Sequence, residues 1–171
     1  MSACVARSSS TVLLIVVLAG LASCASKPPP PKPPAKTIIT VTAAATVNPA
    51  ANGHPAPVVV RLYRLNSDVA FKGAEFFPLF DDDKRVLAAE LVARDEYELA
   101  PGESKTQELV LPPEVRFLGA MAAFRDIRNS TWRAIIPVPP PAPAPKKKGN
   151  PKPTYVRVTV DQQVVSIALG P

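Results

Sequence analysis

Cys24 is the residue whose type and setting imply a definite reaction. It closes Leu21-Ala22-Ser23-Cys24, which fits the bacterial lipobox. In that motif the thiol takes up a diacylglycerol, and cleavage before the Cys frees its amine for a further acyl chain. Upstream, Arg7 and the apolar run from Val12 to Leu21 have the order of a secretory signal peptide. The run is too short to span a bilayer, which takes about 20 residues. Each buried CH₂ contributes about 0.8 kcal/mol, so several acyl chains make a nearly permanent anchor. Ala25 follows the Cys. An Asp there commonly signals inner-membrane retention in Gram-negative bacteria, so Ala25 points to the outer membrane. Processing would also remove Cys4, leaving Cys24 as the only Cys and no intramolecular disulfide, despite an oxidising compartment.

The other reactive-looking groups have plainer readings. Asp81-Asp82-Asp83 offers carboxylates of the kind calcium takes. It lacks the EF-hand order and closing Glu, and Lys84-Arg85 follows at once, so a solvated turn is expected. Glu75 and Asp95-Glu96 could be paired for acid–base work, but surface charge accounts for them. His54 is the only His and has no second ligand nearby, and two distant Cys cannot build a Cys₄ zinc site. The expectation is therefore no catalytic residue, no metal and no cofactor beyond a covalent lipid on Cys24.

The elements that must position these residues come from a chain of 171 residues, a length that suits one folded domain. Its formal charge is +6. Seven Lys sit in two Pro-rich stretches: Lys27, Lys32 and Lys36, then Lys146, Lys147, Lys148 and Lys152. Without these and Arg7, twelve basic residues face fourteen acidic ones. The excess belongs to tether and loop rather than to a folded face with interleaved aromatics, which argues against nucleic-acid binding. Ser26 to Lys36 reads Ser-Lys-Pro-Pro-Pro-Pro-Lys-Pro-Pro-Ala-Lys. Pro lacks a backbone donor and fixes φ, so this stretch should be polyproline II. At about 3.1 Å per residue it would be a spacer of roughly 30 Å.

Beyond it, β-branched or alternating runs predict strands at Thr37–Thr42, Val58–Leu65, Ala93–Leu99, Thr106–Leu111, Arg116–Phe124, Thr131–Val138, Tyr155–Val160 and Val164–Leu169. Asn66, Ser67 and Asp68 are N-cap types ahead of Val69, Phe71, Phe76, Phe77 and Phe80, which predict a short helix broken at Pro78. Leu87 to Leu91 is ambiguous, with a further helical turn as one option. The Phe set and Trp132 read as core. Phe124-Arg125-Asp126 suggests an Arg–carboxylate contact in a structural role. The fold class is mainly β, a two-sheet β-sandwich with an added short helix on one face or edge. Its organisation is 1–23 signal peptide, 24–36 lipidated Cys and Pro/Lys-rich tether, and 37–171 sandwich domain with a Pro/Lys-rich loop at 137–153.

Pro57 to Leu65, Phe71, Ala74-Glu75-Phe76-Phe77, Leu79 to Asp82, Pro101-Gly102-Glu103, Leu118-Gly119, Ala122 to Asp126 and Trp132-Arg133 together resemble the TssJ family. These are outer-membrane lipoproteins of the bacterial type VI secretion system. The resemblance covers most of Asn48 to Val138, in the family's order. It implies a transthyretin-like sandwich facing the periplasm, without catalytic activity. It also implies a partner, the C-terminal periplasmic region of the inner-membrane protein TssM, which in turn associates with TssL. The result would be an envelope-spanning complex containing several copies of a chain that is monomeric alone. The family's partner-binding element is the loop between the first two strands, here Ala44 to Pro57, with Asn48, Pro49, Asn52, Gly53, His54 and Pro55 as contact residues. The rival class is a lipid-anchored periplasmic carrier or enzyme on the same scaffold, since fold does not fix function. The clustered His, Ser or Asp it would need is absent from the sequence pattern.

The anchor has a direct test. Cys24→Ser should leave an unlipidated precursor that incorporates no labelled palmitate and leaves the membrane fraction. Normal labelling and fractionation of the variant would remove the anchor.

Overall fold

Alternating β-branched residues lay down the strands of the computed structural model, which describes residues 36–139 and 152–170. The signal peptide, Cys24, the tether through residue 35 and residues 140–151 of the Pro/Lys-rich loop lie outside the described residues. In β1 (Lys36–Ala43), Thr37, Ile39, Val41 and Ala43 are buried while the residues between them are more exposed. That is the period of two expected of a half-buried strand. The others are β2 (Val58–Leu65), β3 (Leu91–Leu99), β4 (Ser104–Val110), β5 (Phe117–Ala123), β6 (Arg133–Pro137), β7 (Thr154–Val160) and β8 (Val165–Leu169). All eight expected strands are present, with bounds within about two residues of the expectation.

They form two four-stranded sheets, ordered β4-β1-β7-β8 and β3-β2-β5-β6. All pairings are antiparallel except β1 with β7, where Thr37 lies opposite Thr154. Between the sheets lies one core, built from Ile39, Val41, Val60, Leu62, Leu118, Ala120, Val156 and Val158 among others. The β-sandwich expected from the strand count is the fold.

A second apolar cluster covers the other face of the β2 sheet, where Tyr63, Leu65 and Met121 meet Phe71, Leu79 and Leu87 of a helical layer. That layer is α1 (Val69–Gly73), α2 (Phe76–Asp81) and α3 (Asp83–Leu87), followed by a 3₁₀ turn at Ala88–Glu90. The break expected at Pro78 falls elsewhere. Pro78 is the third residue of α2, in the first turn, where a backbone N–H has no intrahelical partner to lose. The interruptions come at Ala74-Glu75 and at Asp82, whose carboxylate accepts the Arg85 N–H at 3.2 Å and caps α3.

Asp83 also departs from the expected solvated turn. It is 4% exposed. Its Oδ2 accepts from Arg94 at 2.6 Å and from the Tyr63 hydroxyl at 3.3 Å, with Arg61 at 3.8 Å. Burial pushes the Tyr63 hydroxyl up, with Arg61 pulling it back and Asp83 adding to the rise, so Tyr63 stays protonated as a donor. Arg61 meanwhile donates to Glu96 and to the Phe80 carbonyl, both at 2.6 Å, and its guanidinium lies over the Phe80 ring. These contacts pin the helical layer to the sheet. Asp95 faces the other way, paired with Arg64 at 2.9 Å. Adjacent strand residues point to opposite faces, so Asp95 and Glu96 do not form a carboxylate pair.

The aromatic set divides by depth. Phe71 is fully buried, Phe76, Phe80 and Trp132 are half-buried, and Phe77 is 62% exposed. The core reading therefore fails for Phe77, because two α2 faces cannot both meet the sheet. Trp132 sits where both clusters meet, edge-on to Phe76 and under the Arg133 guanidinium. Phe71 fits because Gly119 leaves room. A Cβ at Gly119 would come 3.0 Å from the Phe71 ring. That ring is held against Tyr63 at 5.4 Å and cannot retreat freely. Gly119→Ala should therefore cost about 1–3 kcal/mol by overpacking, read as a lowered thermal midpoint. An unchanged midpoint would mean that the helical layer is looser than this packing implies.

Candidate partner-binding site

Strand direction decides where each loop emerges. β1, β3, β5 and β7 run away from the pole that holds Lys36, and β2, β4, β6 and β8 run back. The connections β1–β2, β3–β4, β5–β6 and β7–β8 therefore gather at the far pole. The helical segment, the β4–β5 connection and the described ends of the Pro/Lys-rich connection lie at the Lys36 pole. A strand of eight residues separates the two poles by roughly 25 Å.

At the far pole the β1–β2 loop, residues 44–57, is a built structure. Its base closes through Ala56 N–H to Val47 O at 3.2 Å and Val47 N–H to Ala44 O at 3.1 Å. Above it a second hairpin forms, with Ala50 N–H to His54 O at 2.9 Å and Gly53 N–H to Ala50 O at 2.8 Å. Gly53 has φ +78, the left-handed residue that follows a turn in three-residue hairpin loops. Asn52 braces the tip by accepting the His54 N–H at 3.1 Å. Asn52, Gly53, His54 and Pro55 are exposed there together, and Pro49 is half-buried below them.

Asn48, expected as a contact residue, is turned inward instead. It is 4% exposed and held at φ 49. Its Nδ2 donates to Pro57 O at 2.7 Å and its Oδ1 accepts the Arg125 N–H at 2.8 Å. Its own N–H donates to Gln162 O at 2.9 Å. One residue thus ties the loop to the β5–β6 connection and the β7–β8 turn. Asn is the non-Gly residue best suited to that left-handed backbone, and its short amide reaches two strands of chain at once. The sequence signal was Asn48-Pro49 at a strand exit, but the two long-range partners have no local signature. Residue Arg125, expected to pair with a carboxylate, instead uses its backbone here, and Asp126 accepts from Asn129.

The surrounding turns complete the pole. Gly102 N–H donates to Ala44 O at 3.2 Å, and Thr131 N–H to Gln163 O at 2.8 Å. Glu103 accepts the Ala100 N–H at 2.8 Å, which holds its carboxyl below the usual range. The arrangement offers an exposed, pre-shaped tip on a rigid base. It contains hydrogen-bonding groups and turn residues, and no group of three or more His, Cys, Asp or Glu that could hold a metal lies among the described residues.

Fold and site together define a β-sandwich with one covered sheet face and a pole of interlinked loops opposite the chain's entry into β1. The family model described as type VI secretion lipoprotein, VasD, EvfM, TssJ, VC_A0113 matches residues 35–163, and the chain belongs to that family. It is similar to the T6SS lipoprotein TssJ1 from Pseudomonas aeruginosa, at 35% identity and TM-score 0.70, covering 81% of this chain and 98% of that one. It is also similar to Lip from Serratia marcescens, a membrane bound component of the type VI secretion system, at 27% identity and TM-score 0.70 over 81% and 98%. A chain in the structure described as T6SS protein TssM C-terminal domain (869-1107) from EAEC matches at 26% identity and TM-score 0.60, over 77% and 99%. Another match is in a type VI membrane complex. No curated protein matches.

The loop's two layers separate in a mutational test. Asn48→Ala should lower stability by about 1–3 kcal/mol, since it removes two part-buried hydrogen bonds, to the Pro57 carbonyl and from the Arg125 N–H. Asn52→Ala, at the exposed tip, should stay within about 0.5 kcal/mol of the parent. Denaturant titration gives both values, and equal effects would contradict the division.

Proposed function

We propose that this type VI secretion lipoprotein ties the secretion membrane complex to the outer membrane by binding the periplasmic C-terminal region of TssM. In this reading lipid on Cys24 provides residence in the outer membrane, with the domain facing the periplasm. The Pro/Lys-rich tether provides reach and joins the sandwich at Lys36. The tip of the 44–57 loop provides specificity, and TssL is engaged through TssM. The chain is monomeric alone and present in several copies in the complex. It needs no metal or cofactor beyond its lipid, binds no nucleic acid and has no catalytic role.

The observation that carries this reading is the polarity of the sandwich. The chain enters at one pole and the self-supported hairpin stands at the other, roughly 25 Å away. An anchor acting through the first would leave the second free for a partner approaching from the opposite membrane. The occurrence of chains of this fold in the TssM C-terminal domain structure and in a type VI membrane complex supports the choice of partner.

Shortening the loop between Pro49 and Pro55, while keeping Val47, Asn48 and Ala56, tests it. Loop length adds little to closure entropy, so the sandwich should stay folded by circular dichroism. Binding to the periplasmic region of TssM, measured by calorimetry, and secretion should be lost together. A folded deletion variant that binds at the parent affinity would move the interface elsewhere.

A further inference from the structure

The β5–β6 connection, residues 124–132, stands beside the loop at the far pole and is as firmly held. Phe124 is buried and Ile127 packs into the inter-sheet core. Asp126 caps the 3₁₀ turn Ile127–Asn129 by accepting from Asn129 N–H at 3.3 Å and Nδ2 at 2.8 Å. Ser130 donates back to Ile127 O at 3.1 Å, and Thr131 exchanges backbone hydrogen bonds with Gln163 and Val165 at 2.8 and 2.9 Å. Arg125 is bonded through its backbone to Asn48, the residue that closes the loop's base.

On this fixed frame two cations stand outward. Arg125 and Arg128 are exposed, and neither side chain has an ion-pair or hydrogen-bond partner among the described residues. The neighbouring carboxylates are committed to their own turns. Asp126 holds Asn129, Glu103 holds the Ala100 N–H and Lys105, and Asp161 accepts the Gln162 N–H at 2.8 Å. The rigid turn fixes the backbone from which the two side chains reach, and their guanidiniums offer forked donors that match carboxylates.

We propose that Arg125 and Arg128 form, with the 50–55 hairpin, one composite docking surface whose partner presents carboxylates at this point. The partner meant is an acidic segment of the TssM periplasmic region, so the proposal rests on the function proposed above. Charge here acts chiefly on the rate of encounter, and salt screens it.

The test uses the mature lipoprotein in detergent and the periplasmic region of TssM, with association followed by surface plasmon resonance at low and high salt. The pair Arg125→Glu with Arg128→Glu should slow association about ten-fold or more at low salt and flatten its salt dependence. The pair Arg125→Lys with Arg128→Lys should keep most of both. Circular dichroism checks the fold, and if the reversed pair is unfolded, Arg125→Gln with Arg128→Gln decides by the same readout. Parent-like association and salt dependence in the folded charge variants would overturn the proposal. If the parent binds and only shortening the loop abolishes binding, the arginine surface falls and the loop stands. If the parent itself does not bind TssM, both readings fall.

Discussion

Val58, Val60 and Leu62 of β2 face the inter-sheet core, while Tyr63 on the opposite face lies under Phe71 of the helical layer. The strand therefore has no solvent face, and much else follows from that constraint. Its neighbour β5 must also be covered twice, which is why Leu118, Ala120 and Ala122 point one way while Gly119 and Met121 point the other. A fully buried Leu, Val or Phe contributes about 1.5–3 kcal/mol, so the second layer adds substantially to a sandwich of this size. It also forces Arg61 and Tyr63 under cover, where they need Asp83, Glu96 and the Phe80 carbonyl as partners. Burial of a polar group is costly unless its hydrogen bonds are met.

The alternation of strand directions turns this scaffold into a two-ended object. One pole receives the chain at Lys36, together with the helical segment and the described ends of the Pro/Lys-rich connection. The other collects four connections that bond to one another. Separation along the strands keeps whatever acts at one end from crowding the other. The function proposed above, with an anchor acting at one end and a partner at the other, rests on that separation. The described residues that flank the Pro/Lys-rich connection, at the end of β6 and the start of β7, lie at the pole away from the 44–57 loop.

At the far pole, rigidity is concentrated at the base and exposure at the tip. Asn48 joins three segments through its backbone and side chain, so the hairpin above it is presented in one orientation. A loop already ordered in the free protein gives up less conformational freedom when it binds. The Asn52 brace and the left-handed Gly53 extend the same economy to the tip itself.

Local residue patterns determined the strands, because β-branched alternation is a property of neighbours in the chain. Through the ordered motifs they also determined the family. Other features needed long-range contacts that leave no local mark. Asp83 sits in a run of three acids that reads as solvated, yet only it meets Arg94 and Tyr63, which come from different strands. Phe77 has the same local pattern as Phe76, and only the sheet's position decides which ring is covered. Asn48 read as a contact residue because its partners, Pro57, Arg125 and Gln162, lie 9, 77 and over a hundred residues away and meet only when both sheets have formed.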